Sequence, residues 1–243
     1  MSETGRDAAG TRDPGDEGGP GPPASWPPLD GDTRPPGAGP RGFAKRGASR
    51  AARGRRGDIL DAALVLFDEA GYLRAGIQDI AEQAHASVGS VYHHFEGKEE
   101  IAAAIYVEGL ADYHRGLLRD LNREHGSAEE AVKSLVRSHL RWVKRNRELA
   151  RFLFTSRDPE VVGAGAQELD GVNRRVFAAV QRWLDRWIEA GEVQRLPIGL
   201  LHAVLLGPSQ EFCRHWSAGR TSESIDAAEP TLAEAAWRAV RVR

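Results

Sequence analysis

Between Ser87 and His94 the chain reads Ser-Val-Gly-Ser-Val-Tyr-His-His, setting hydroxyls, a phenol ring and two imidazoles along about two helical turns. Such groups suit contact with phosphate oxygens and base edges better than bond making or breaking. Val91 and Phe95 lie four residues apart, so they share a face and can dock inward. Val88, Ser90, Tyr92, His93 and His94 are then left outward. Tyr92 and His93 are expected to touch phosphate or a thymine methyl, and Ser90 a base edge or a phosphate. Ser87 is read first as the helix N-cap, its hydroxyl occupied by a backbone N–H, and second as a base contact. Gln78, just upstream, is a candidate for adenine or a backbone phosphate. A metal site built from His93, His94 and Glu99 is not expected, because adjacent helical side chains diverge by roughly 100°. No cofactor is expected either.

These residues need a scaffold, and the flanking pattern supplies one. Ile59, Leu60, Ala63, Leu64 and Phe67 recur at helical spacing, and Gly71 is a suitable residue to end that helix. Ile77, Ile80, Ala81 and Ala84 share one face of a second helix. A short turn then leads to the helix after Ser87. Two helices crossing steeply through a turn of about 3–4 residues form a helix-turn-helix, whose second member enters the major groove of duplex DNA.

From about Arg53 to Tyr106 the chain resembles the DNA-binding domain of TetR/AcrR-type regulators. The matching marks are ILDAALVLF, GY, IA, SVGSVYHHF and Lys98, in this order and spacing. The resemblance implies a homodimer that binds a palindromic operator and is usually released by a small ligand, most often as a repressor. It also implies a phosphate contact for Lys98, where helix N–H groups add attraction for an anion. Three positions depart from the family pattern. Gly76 stands where a capping Ser or Thr is usual, His85 where the turn usually has Gly, and Val88 where many relatives have a polar or basic residue.

A net charge of −2 hides strong segregation. Residues 1–40 hold seven acids against three Arg, whereas residues 41–57 hold seven basic residues and no acid. Nine of the thirteen prolines precede residue 41, and almost no aliphatic side chain there could build a core. Residues 1–52 are therefore expected to form a disordered tail with a basic arm, its Trp26 a stray aromatic. Arg53, Arg55 and Arg56 would follow phosphates or reach the minor groove, unless the arm is merely solvated.

After residue 106 the pattern is helical throughout, with no strand signal. Expected helices run from Lys98 to about Arg123, from the Ser127–Glu130 capping box to about Lys144, over Arg147–Thr155 and over Val162–Ala190. Pro197 opens the next, with a kink at Gly207–Pro208, and Pro230 opens the last. The fold class is all-α: a three-helix reader domain over residues 53–106, then a helical ligand-binding and dimerisation bundle over 107–243. Leu201, Leu205, Phe212, Trp216, Ala233, Ala236, Trp237 and Val240 carry more apolar surface than a terminal hairpin normally exposes, and are assigned to the dimer interface. His139, Trp142, Phe152, Phe177 and Trp183 are candidates to line a cavity for an apolar or aromatic effector, with core packing as the competing role. His114 and His202 invite the same two readings.

Other function classes find little support. The chain lacks a glycine-rich phosphate loop, a nucleophile elbow and zinc-type spacing, so an enzyme is not expected. Its single cysteine, Cys213, lies on an apolar face and reads as a buried thiol. That usage suits a cytoplasmic protein, which DNA binding would associate with the nucleoid, and no stretch approaches the length of a membrane span. A helical adaptor using the same motif for protein contacts, or an activator of the same fold, are the remaining alternatives.

Overall fold

The computed structural model describes residues 50–155 and 166–242, without the side chains of residues 50–53, 155 and 166–175. The acidic and basic parts of the tail up to residue 49, Trp26, and the Arg53 side chain lie outside the described residues. Nine α-helices are described: α1 (Arg50–Glu69), α2 (Ile77–Gln83), α3 (Val88–His94), α4 (Lys98–Leu121), α5 (Ala128–Arg145), α6 (Arg147–Thr155), α7 (Ala166–Glu189), α8 (Ile198–Ser217) and α9 (Ile225–Val240). One isolated antiparallel bridge, Val193 to Arg241, is the only strand-like pairing among the described residues.

The apolar repeat of α1 buries Ile59, Leu60, Ala63, Leu64 and Phe67 against α2, α3 and the start of α4. The helix turns at Gly54, whose φ of 63° and ψ of 177° break it just before this repeat begins. In the second half, α5 is the central rod, packing on α4, α8 and α9. Ser127 Oγ accepts the Glu130 N–H at 3.2 Å, and the Glu130 carboxylate reaches back to the Gly126 N–H at 3.0 Å. Both bonds satisfy N–H groups that a helix start leaves without carbonyl partners. At the far end of α7, Gly191 takes φ 73°, so its own N–H reaches Ile188 O and the Glu192 N–H reaches Trp187 O, both at 3.0 Å. Only a residue at ease in the left-handed region ends a helix this way.

One expected boundary moves. The last helix starts at Ser224, whose Oγ accepts from the Ala227 N–H at 3.1 Å, and Pro230 lies inside it. A proline in the sixth helical position costs one backbone bond but leaves the first turn intact, so a capping serine outranks it as a start signal. The expected bounds of α8 hold, and it runs through Pro208 to Ser217. Part of the expected Val162–Ala190 helix, before Ala166, lies outside the described residues.

Candidate nucleic-acid interface and effector cavity

Helix α3 has the two-sided character its pattern demands. Val91 is fully buried and Phe95, the residue that ends the helix, is buried beside it, while Tyr92 is 56% exposed and Val88 38%. His93 is exposed; Ser90 and His94 are half-buried. The His93 and His94 rings meet edge to face at 5.1 Å, closer than simple divergence around the helix suggests. No group of three or more metal-capable side chains occurs among the described residues. Ser87 Oγ accepts the Ser90 N–H at 3.1 Å, so the cap role occupies it. Gly76, which has no side chain to cap α2, instead gives its own N–H to Asp79 Oδ2 at 3.0 Å. His85 makes the turn between the two helices at φ 52°, a left-handed conformation that strains most non-glycine residues. Gln78 is exposed on α2.

Three cations assigned to DNA are held by protein groups. Arg55 Nη1 donates to Ala84 O at 3.3 Å and His85 O at 3.4 Å, bracing the strained turn. Arg56 pairs with Glu108 at 2.5 Å and lies over the Phe95 ring at 5.1 Å, tying α1 to α4 and to the end of α3. Lys98 Nζ donates to Tyr72 O at 3.0 Å and Leu73 O at 3.4 Å above the Tyr72 ring. In each case the sequence reveals charge but not the carbonyl or carboxylate that the fold brings alongside it. These residues position the reader domain.

The second half contains a cavity with about 510 Å³ of non-protein space, its open mouth included. Tyr113, His114 and Leu117 of α4, Val176, Phe177 and Val180 of α7, and Ile198, Leu201, His202, Leu205 and Leu206 of α8 line it, with Leu135 of α5. Of the five residues expected to line a pocket, only Phe177 does so. His139 is fully buried behind the wall, its Nδ1 3.0 Å from the Tyr113 hydroxyl. Trp142 gives its indole N–H to Asp112 at 3.0 Å, Phe152 stacks on Phe67 of the reader domain at 5.8 Å, and Trp183 meets the His125 ring edge-on. Aromatic content alone could not separate wall from core. His114 and His202 belong to the wall. Burial pushes the His114 pKa down to about 4 and that of His139 to about 3, and lowers that of His202. All three imidazoles are therefore neutral at neutral pH.

The interface assignment also changes. Leu201 and Leu205 face the cavity, and Val240 is fully buried within its own chain. Ala233 and Ala236 are buried as well, since this face of α9 lies against α5 and α8. Phe212, Trp216 and Trp237 are half-buried against the core, and Arg147 covers the Trp216 ring at 4.8 Å. The apolar faces of these helices are largely used inside the protomer, an outcome that periodicity cannot distinguish from pairing with a second copy. Cys213 is buried, which pushes its thiol up to about 12 and makes it unreactive. No helix among the described residues is long and apolar enough to cross a membrane.

Residues 59–105 match the family model described as bacterial regulatory proteins, tetR family. The transcriptional activator FasR of Mycolicibacterium smegmatis is 25% identical over 204 residues, covering 82% of this chain and 88% of its own. The transcriptional repressor KstR2 of Rhodococcus jostii is 35% identical over 83 residues, or 34% of this chain and 40% of that protein. The solved fatty acid degradation regulator FadR of Bacillus halodurans superposes with a TM-score of 0.63 at 21% identity, covering 75% of this chain and 94% of that one, a likeness of fold. The helix-turn-helix of α2 and α3 and the family match that spans it agree: residues 59–105 form a DNA-binding domain similar to that of the tetR family, within an all-helical fold like that of the solved regulators.

Proposed function

We propose that the chain binds a palindromic operator as a homodimer and that a small apolar effector, held in the cavity between α4, α7 and α8, changes its affinity for DNA. The observation that carries the reading is α3, with Val88, Tyr92 and His93 exposed on a helix whose other face is locked by Val91 and Phe95. One such helix spans too few base pairs for selectivity; two, set about one DNA turn apart, match a palindrome. The outward side of α9 presents Ala227, Thr231, Ala235 and Ala239, all exposed, at a spacing of four. Its inner side is fixed to α5 by Lys133–Glu234 at 2.7 Å, Arg137–Glu229 at 3.2 Å and Lys144–Asp226 at 2.5 Å. Small side chains in such a row let a second copy approach closely. This outer side of the α8–α9 hairpin replaces the buried residues assigned from sequence.

Helix α4 runs from the reader to the cavity wall and couples the two. Helix α6 adds a second link, since Arg151 donates to Asp68 O at 2.7 Å and Phe152 stacks on Phe67. An effector that prefers one position of α4 by about 1–3 kcal/mol shifts DNA affinity by roughly 5–150-fold. Repression is the sign we carry, as for KstR2. The broader match to FasR, named an activator, supports activation as the second reading. Such a regulator works where the chromosome is, in the cytoplasm at the nucleoid. Selection of bound fragments from random duplex DNA tests the proposal: an inverted repeat with half-sites about one turn apart is expected. Sequence-independent binding, or a protein that stays monomeric in sedimentation, refutes it.

A further inference from the structure

We infer that the effector is an uncharged molecule whose hydrogen-bonding oxygen meets His114, and that a free carboxylate is excluded from the cavity. This rests on reading the cavity as the effector site. Among the described residues that line it there is no Asp, Glu, Lys or Arg; the polar groups are Tyr113, His114 and His202. The Tyr113 hydroxyl is engaged by His139. His114 Nδ1, by contrast, is buried without a hydrogen-bond partner. A buried polar nitrogen left unpaired is costly, and an effector whose binding turns the His114 ring so that this nitrogen meets a ligand oxygen recovers that cost. His202, on α8, sets its ring edge-on to Phe177 at 5.9 Å, so the wall there is aromatic. Burial holds both imidazoles neutral, so neither supplies the positive charge that a carboxylate needs once it leaves water. The chemistry that fits is a fused ring or chain bearing a hydroxyl or carbonyl, with the neutral imidazole as its hydrogen-bond partner.

Isothermal titration of the purified full chain at pH 7 with naphthalene, 2-naphthol and 2-naphthoate tests this with three probes of one shape. Binding of 2-naphthol about fivefold tighter than naphthalene, the worth of one hydrogen bond, is expected. Binding of 2-naphthoate should be at least about tenfold weaker than 2-naphthol, because its charge is desolvated without a partner. In His114→Leu, 2-naphthol should fall to the affinity of naphthalene while naphthalene is unaffected. Equal or tighter binding of 2-naphthoate overturns the inference and leaves the effector site standing, and so does a 2-naphthol preference that survives His114→Leu. The comparison on the unaltered protein decides even if that variant does not fold. Failure of all three probes to bind removes the effector site together with the inference, while operator selection still decides on DNA binding.

Discussion

At Gly109, α4 lies close against Leu149 of α6. A Cβ built there would lie 2.7 Å from Leu149 Cδ1 and 3.3 Å from both Cδ2 and Cγ, so the whole leucine head stands in the way. Leu149 is itself buried, at 5% exposure, and has little room to turn aside. Overpacking of this kind costs about 1–3 kcal/mol. Replacing glycine by alanine inside a helix returns about 1 kcal/mol through propensity. Gly109→Ala should therefore destabilise the protein by about 0–2 kcal/mol, against the helix preference. In a Leu149→Ala background the obstruction is gone, and the same change should stabilise by about 1 kcal/mol. The sign reversal, a coupling of about 1–3 kcal/mol, is the prediction. Urea unfolding of the four proteins at one fixed concentration reads it, since the stability of the proposed dimer would depend on concentration. If Gly109→Ala stabilises the unaltered protein by about 1 kcal/mol, or if the two changes are additive, α4 and α6 are not in the close contact described here.

Tyr92→Ala should weaken operator binding about tenfold in a gel shift, the scale of one lost contact to base or backbone, with the thermal midpoint and the dimer unchanged. Loss of the dimer instead would refute the outward placement of this ring. Ser87→Ala removes the acceptor of the Ser90 N–H and should cost about 1 kcal/mol in denaturant unfolding, whereas Ser87→Gly should cost a few tenths. Equal costs would mean that the hydroxyl works elsewhere. His114 and His139 have folded pKa values of about 4 and 3, below the ordinary 6.5, so the unfolded chain binds their protons more readily. Stability from this source is complete above pH 6.5 and is lost as the pH falls, by about 1 kcal/mol per unit for each group. Thermal melts that stay level from pH 6.5 to 5 would show that these imidazoles are not buried.

The reader domain was the most legible part, because its signals are local. A capping Ser87, a buried pair at Val91 and Phe95, and Gly71 at a helix end each act within about one turn of chain. Such interactions mark where α1 to α3 start and stop, and they leave Tyr92 outward. The cations behaved differently. Arg55, Arg56 and Lys98 are plainly basic in sequence, yet their partners lie 29, 52 and 26 residues away, and only folding brings those acceptors within reach. Leu201 and Leu205 show the same limit for apolar residues: spacing places them on one face of a helix, while the tertiary arrangement decides that the face meets a cavity. His114 and His202 could be singled out as ambiguous, but their shared wall joins α4 to α8 across 88 residues of chain, and no local pattern encodes that meeting. What short-range chemistry determined was where the helices start, stop and turn their polar sides. Which buried surface seals the core, and which encloses space for a ligand, was decided by the packing of distant helices, since hydrophobic attraction carries no direction of its own.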